Sequence, residues 1–149
     1  MLNILRKIIN KVNSEGYQCT LVIGNKEIIS IYQADVPMFY FDMPEYSYNY
    51  EKQEKTIKLK YAVGINSEQN SNDIDLLFST ISEVEVLNDL FLKKLFSYEN
   101  GSGQQIFENT NNIKVVSFLD LKMMSHTLTG LYVEVEFKNL LTNACKWEV

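Results

Sequence analysis

The chain has one histidine, one tryptophan, two cysteines, two prolines and six glycines in 149 residues. Each shortage removes a class of chemistry. Nucleophilic catalysis needs a base beside a Ser, Cys or Thr and a third group to orient that base. His126 is the lone imidazole; Ser125 or Cys145 beside it has nothing to orient the pair, so His126 reads as a turn or surface histidine. Cys19 and Cys145 stand near opposite ends of the chain, match no metal-ligand spacing, and read as thiols in a reducing compartment. No His-x-Glu, Cys-x-x-Cys or Asp-x-Asp-x-Asp arrangement occurs, so metal ligands and cofactors are expected to be none. Glu134 and Glu136 lie two apart on a regular strand and read as a solvated face rather than a catalytic pair. The loop ENGSGQQ (99–105) lacks the Lys-Ser/Thr of a phosphate loop and reads as a linker. No apolar run approaches the ~20 residues that span a bilayer, and polar residues interrupt the N-terminal segment too often for a signal-peptide core. Catalytic residues are therefore expected to be none.

What remains is an acidic chain of ordinary globular composition. The net charge of −5 argues against wrapping nucleic acid, which needs clustered Lys and Arg. Hydrophobic residues make up 46% and charged residues 22%, as in soluble domains generally. A domain of this size buries roughly 68–70% of its unfolded surface, so one core without metals or disulfides suffices. The reading is a single domain over residues 1–149, with 142–149 as a peripheral tail.

Hydrophobic periodicity sets out the elements. Leu2, Leu5, Ile8, Ile9 and Val12 fall at helical spacing, and Gly16 marks the helix end. Apolar runs at 19–24 and 27–32 flank Asn25-Lys26 and predict a hairpin. Pro37 and Pro44 bracket a short apolar strand, because neither can donate to a ladder. In 55–65, Ile57, Leu59, Tyr61, Val63 and Ile65 alternate with Thr56, Lys58, Lys60 and Ala62, the pattern of a strand with one wet face. Ser71, Asn72 or Asp73 caps a helix over 74–98, which is either continuous or broken near 83–86. Strands over 112–125 and 131–137 close the chain, with HTLTG (126–130) read as the turn between them. The fold class expected is α+β: an antiparallel sheet, an N-terminal helix, one long central helix and a C-terminal β-hairpin.

Within this frame, EYSYNYE (45–51) puts Tyr46, Tyr48 and Tyr50 on one side of an extended chain. With Lys52, Lys55, Lys58 and Lys60 nearby, the row could stack nucleic-acid bases. Glu45, Glu51 and Glu54 cancel much of that charge, which favours a surface that a subunit or partner covers. The candidate interface residues are Tyr46, Tyr48, Tyr50, Glu51, Lys52, Lys138 and Trp147.

The order of LNILRKIINKV, VPMFYFDM, KTIKLKYAVGI, the 74–98 helix and LYVEVEFKNL resembles the tail-terminator (tail-completion) proteins of long-tailed bacteriophages and the related head–tail joining or neck proteins. The resemblance implies a non-enzymatic virion protein, made in the bacterial host cytoplasm. It would form a ring, a hexamer, that stops the tail tube and seats it on the connector. Its partners would be its own copies and neighbouring connector or tail-tube proteins. DNA would only pass through the lumen, without sequence-specific binding, and no membrane would be involved. The rival reading is a small acidic binding or immunity-type module that covers a protein partner.

Overall fold

The computed structural model describes residues 1–24, 36–67, 72–99, 101, 103, 105–123 and 126–139. In chain order these form α1 (Leu2–Asn13), β1 (Thr20–Ile23), β2 (Met38–Phe41), β3 (Glu45–Asn49), β4 (Glu54–Asn66), α2 (Ile74–Phe96), β5 (Phe107–Met123) and β6 (His126–Asn139).

All six strands belong to one sheet, in the order β1-β2-β4-β6-β5 with β3 added to β4. The β4 strand is its spine. One edge of β4 is shared, because β2 pairs with its residues 61–64 and β3 with its residues 54–58. Its other edge carries β6 along the whole length, from Lys55↔Asn139 to Asn66↔Leu128.

The antiparallel α+β expectation needs correction here. The sheet is mixed and curled, because β1 runs parallel to β2, and among the described residues six strands against two helices make sheet the dominant element. The cause lies in the connection. A parallel partner needs a crossover of about a dozen residues, and β1 and β2 stand far enough apart in sequence to allow one; the sequence predicts a hairpin directly after β1. The second strand of that expected hairpin, 27–32, falls outside the described residues. A second correction concerns HTLTG, which is not a turn: β6 begins at His126, and Thr129 and Gly130 pair with Ile65 and Gly64. The expected strand at 112–125 is longer as β5, starting at Phe107, with register shifts between Asn109 and Asn112 and between Phe118 and Leu121.

Both helices pack on one face of the sheet. Ile4, Leu5, Ile8, Ile9 and Val12 of α1 meet Phe39, Phe41, Ile57, Leu59, Tyr61 and Val63 there, with Leu131, Val133, Val135 and Phe137 of β6. The α1 C-terminus is tied down by a reciprocal pair: Asn13 Nδ2 donates to the Cys19 carbonyl (3.1 Å), and the Cys19 N–H donates to Asn13 Oδ1 (2.7 Å). Helix α2 runs unbroken for 23 residues from its Asp73 cap, whose carboxylate accepts the Leu76 N–H at 3.2 Å. It presses Phe91 onto Phe39, Phe41 and Tyr61, with ring centroids 5.2–5.6 Å apart. Such contacts contribute about 0.5–1.5 kcal/mol per pair beyond area burial. The Tyr61 hydroxyl, fully buried, donates to Asn88 Oδ1 of α2 at 2.5 Å, so strand and helix share a satisfied polar contact inside the core.

At the far end of the spine the backbones close up. Gly130 faces Gly64, and a Cβ on Gly130 would lie 2.0 Å from the Val63 carbonyl oxygen. Phe118 of β5 pairs with Gly130, reaches Gly64, and lies tilted against Tyr132 with ring centroids 4.6 Å apart, covering both glycines with a ring.

Candidate assembly surface

The β3–β4 hairpin builds the tyrosine row. Residues 50–53 make its turn, with Asn49 Oδ1 accepting the Lys52 N–H at 3.1 Å and Gln53 in the left-handed region at φ 51. Register then fixes the faces. Tyr46 pairs with Ile57 and Tyr48 with Lys55, so these rings stand on the side of the sheet that carries the helices. They are nevertheless open: Tyr46 is 39% exposed, Tyr48 48% and Tyr50 82%. Centroids are 6.5 Å apart from Tyr46 to Tyr48 and 6.2 Å from Tyr48 to Tyr50, which makes a continuous ring ladder. The Lys55 ammonium lies 4.5 Å from the Tyr46 ring and 5.8 Å from Tyr48. Burial holds the Lys55 pKa below the usual lysine value, and burial followed by the neighbouring Tyr48 raises that of Tyr46.

Glu51 and Lys52 sit exposed in the same turn, beside the row. Lys138 does not join them. It pairs with Thr56 on the opposite face of the sheet, within 3.8 Å of Glu54. Trp147 lies outside the described residues.

The helix-free face has its own pattern, which sequence inspection finds only one strand at a time. Pairing lines up Asp42, Lys60, Glu134 and Lys114 across four strands, and Glu45, Lys58, Glu136 and Asn112 in the next row. Signs alternate along each row. Lys58 binds Glu134 at 2.8 Å, Lys60 approaches Glu45 at 3.8 Å, and Asn112 Nδ2 donates to Glu136 at 3.0 Å. The contact raises the Lys58 pKa and lowers that of Glu134, chiefly through their mutual hydrogen bond. The acids are thus interleaved with lysines rather than pooled. Beside the first row, on the side away from the second, lies a cleft of about 370 Å³ lined by Tyr40, Asp42, Lys60, Ala62, Tyr132 and Glu134. Tyr40 is anchored by donating to the Gly24 carbonyl at 3.1 Å, and burial, then Asp42, pushes its pKa up. Among these residues the sequence singles out only Lys60 and Glu134 as candidates for a functional role. Tyr40, Asp42 and Tyr132 carry no signal until pairing brings their strands together.

Two further groups of apolar residues are exposed. Val115, Val116 and Leu119 lie on β5, and Ile74, Leu76 and Phe78 on the first turns of α2. Among the described residues, no group of three or more His, Cys, Asp and Glu side chains is placed to hold a metal ion. The His126 backbone pairs with Met123 at the start of β6. No protein-family model matches the chain, and no curated protein matches it.

Proposed function

We propose that the chain is a structural subunit that assembles with copies of itself into a ring, as the resemblance to phage tail-terminator and head–tail joining proteins implies, at the junction between tail tube and connector. The observation that carries this reading is the placement of exposed large side chains. They include Tyr46 and Tyr48 on β3 and Val115, Val116 and Leu119 on β5, strands on opposite sides of the β4–β6 pair, and Ile74, Leu76 and Phe78 on the first turns of α2. A closed ring needs two different complementary patches on every subunit, and strands on opposite sides of that pair provide two. Tyrosine suits such a patch, since its ring adds contact area while its hydroxyl stays wet. The interleaved lysines and acids leave the helix-free face locally neutral. That fits a wall along which DNA slides without sticking better than a surface that grips phosphate. It also weakens the rival reading, because a decoy for a basic partner needs its carboxylates pooled.

Light scattering over a concentration series tests the proposal, together with mass-spectrometric detection of the chain in purified virions. A discrete mass several times that of the 17.3 kDa chain and stoichiometric presence in particles are expected. A monomer at every concentration that is absent from particles would overturn it.

A further inference from the structure

The cleft on the helix-free face has aromatic walls and an edge of alternating hydrogen-bond acceptors and donors, and we propose that it binds a neutral carbohydrate in its pyranose ring form. The proposal goes beyond the assembly reading and does not depend on it.

Two neighbouring rows build the site. In the first, Tyr40, Ala62 and Tyr132 stand side by side on β2, β4 and β6, with Val116 of β5 beyond them. The Tyr40 and Tyr132 backbones are two strand spacings apart, roughly 10 Å, and the Ala62 methyl between them is too short to fill the gap. Neither ring closes over it. The hydrogen bond to the Gly24 carbonyl draws Tyr40 toward β1, and Phe118 holds the Tyr132 ring at a centroid distance of 4.6 Å. Contacts that the rings already make therefore hold open the space of about 370 Å³. The Tyr132 hydroxyl makes no hydrogen bond among the described residues, and burial raises its pKa, so it stays a donor at neutral pH.

The second row supplies the polar edge. Asp42, Lys60, Glu134 and Lys114 follow one another across the sheet as acceptor, donor, acceptor and donor, one strand spacing of about 4.8 Å at each step. Asp42 and Lys114, at the ends of the row, form no ion pair among the described residues. Lys60 reaches Glu45 only at 3.8 Å, and Glu134 engages Lys58 through Oε1. The row thus keeps hydrogen-bonding capacity along its whole length.

These groups select the class of ligand. Two lysines and two carboxylates cancel, so an anion meets Asp42 and Glu134 while a cation meets Lys60 and Lys114. A wholly apolar molecule would strip water from four charged groups and return no hydrogen bonds. A peptide laid on the face finds no free backbone groups, because β4 and β6 spend theirs on the ladder. A pyranose suits both rows. Each of its hydroxyls donates and accepts, which matches an alternating edge. Its C–H face is apolar and slightly positive, which matches the negative faces of tyrosine rings. Adjacent rows on one face lie about 7 Å apart, so a sugar ring can rest on the aromatic row with its hydroxyls at the polar one.

Titration of the ¹⁵N-labelled full chain with cellobiose, lactose and N,N′-diacetylchitobiose, followed by amide chemical shifts, tests the site. At least one sugar should bind with a Kd of about 1 mM, the range a small open cleft allows. It should move the amides of Asp42, Lys60, Lys114 and Tyr132 and leave those of Glu15 and Lys94, which pair with each other on the helix side, in place. Tyr132→Ala removes a wall, and Asp42→Ala removes an acceptor from an exposed position where folding is not at stake. Each should weaken binding roughly tenfold without changing the circular dichroism spectrum. Glu136→Ala, in the row beyond the cleft, should bind as wild type does. No shift with any of the three sugars at about 20 mM would overturn the proposal. So would shifts that persist unchanged in both cleft variants, or tighter binding of inorganic phosphate, which would make the two lysines an anion site. A chain that assembles into rings yet binds none of the sugars overturns this site alone.

Discussion

The Gly64–Gly130 contact gives the most demanding test of the fold. Adding one methyl at residue 130 places a Cβ 2.0 Å from the Val63 oxygen, 2.7 Å from Gly64 Cα and 2.9 Å from the Val63 carbonyl carbon. All three are backbone atoms in the central strand, so no side chain can swing away. Restoring a contact of about 3.2 Å forces β4 and β6 apart by roughly 1 Å, an overpacking cost of about 1–3 kcal/mol. The separation also stretches one or two adjoining ladder hydrogen bonds, each worth about 1 kcal/mol. Gly130→Ala should thus lose about 2–5 kcal/mol, which for a domain of this size lowers Tm by roughly 10 °C. Gly64→Ala makes an instructive partner. Its Cβ would find the Thr129 oxygen at 3.2 Å, Leu128 Cβ at 3.5 Å and Phe118 Cζ at 3.6 Å, contacts that small shifts relieve, so its loss should stay within about 1 kcal/mol. Gly101→Ala, with nothing within 4 Å, serves as the control. Urea unfolding followed by circular dichroism reads all three. Equal losses at 64 and 130, or a loss below 1 kcal/mol at 130, would refute the close approach of β4 and β6.

Tyr61→Phe should cost about 1–3 kcal/mol in the same assay, because it leaves the buried Asn88 oxygen without its donor. Burial, then Asp89, raises the Tyr61 pKa well above 10, so the stability it contributes is intact below the ordinary tyrosine value and declines as pH climbs past 10. Wild type should show this alkaline loss, and Tyr61→Phe should show less of it. A variant that kept the full alkaline decline would place its origin elsewhere. Asp73→Ala should lower stability by about 1 kcal/mol through loss of the α2 cap, whereas Asp73→Asn, which keeps an acceptor, should lose a fraction of that.

Particular residues show how far the sequence could be read. Alternation in 55–65 was legible because one face of β4 is buried throughout, and the tyrosine row because period two needs no partner to be seen. The Asp73 cap is one of the three candidates the sequence offers, because capping is local. Gly130 misled for the opposite reason. Inside HTLTG it has the look of a turn glycine, yet its requirement comes from the Val63 backbone, which lies far away in sequence. The parallel β1–β2 pair was illegible for a similar reason, since pairing direction depends on a crossover path rather than on residue pattern. Strand β5 was underestimated at its start because ENTNN has little strand propensity, and pairing with β6 overrides that preference. The alternating charge rows needed four strands aligned before they existed at all.

The position of β6 has a consequence for how the molecule is made. It lies between β4 and β5, yet it is the last described element in the chain, and residue 139 pairs with residue 55. During translation, β4 emerges early with an apolar face and one whole edge lacking the strand that will cover it. That edge stays open until residues 126–139 have left the ribosome. Contacts of such long sequence separation make folding slow, and exposed strand edges invite mispairing between nascent chains. The lysines at 58 and 60 and the acids that flank them therefore have an early role, as gatekeepers on a waiting strand, before they become rungs of a finished sheet.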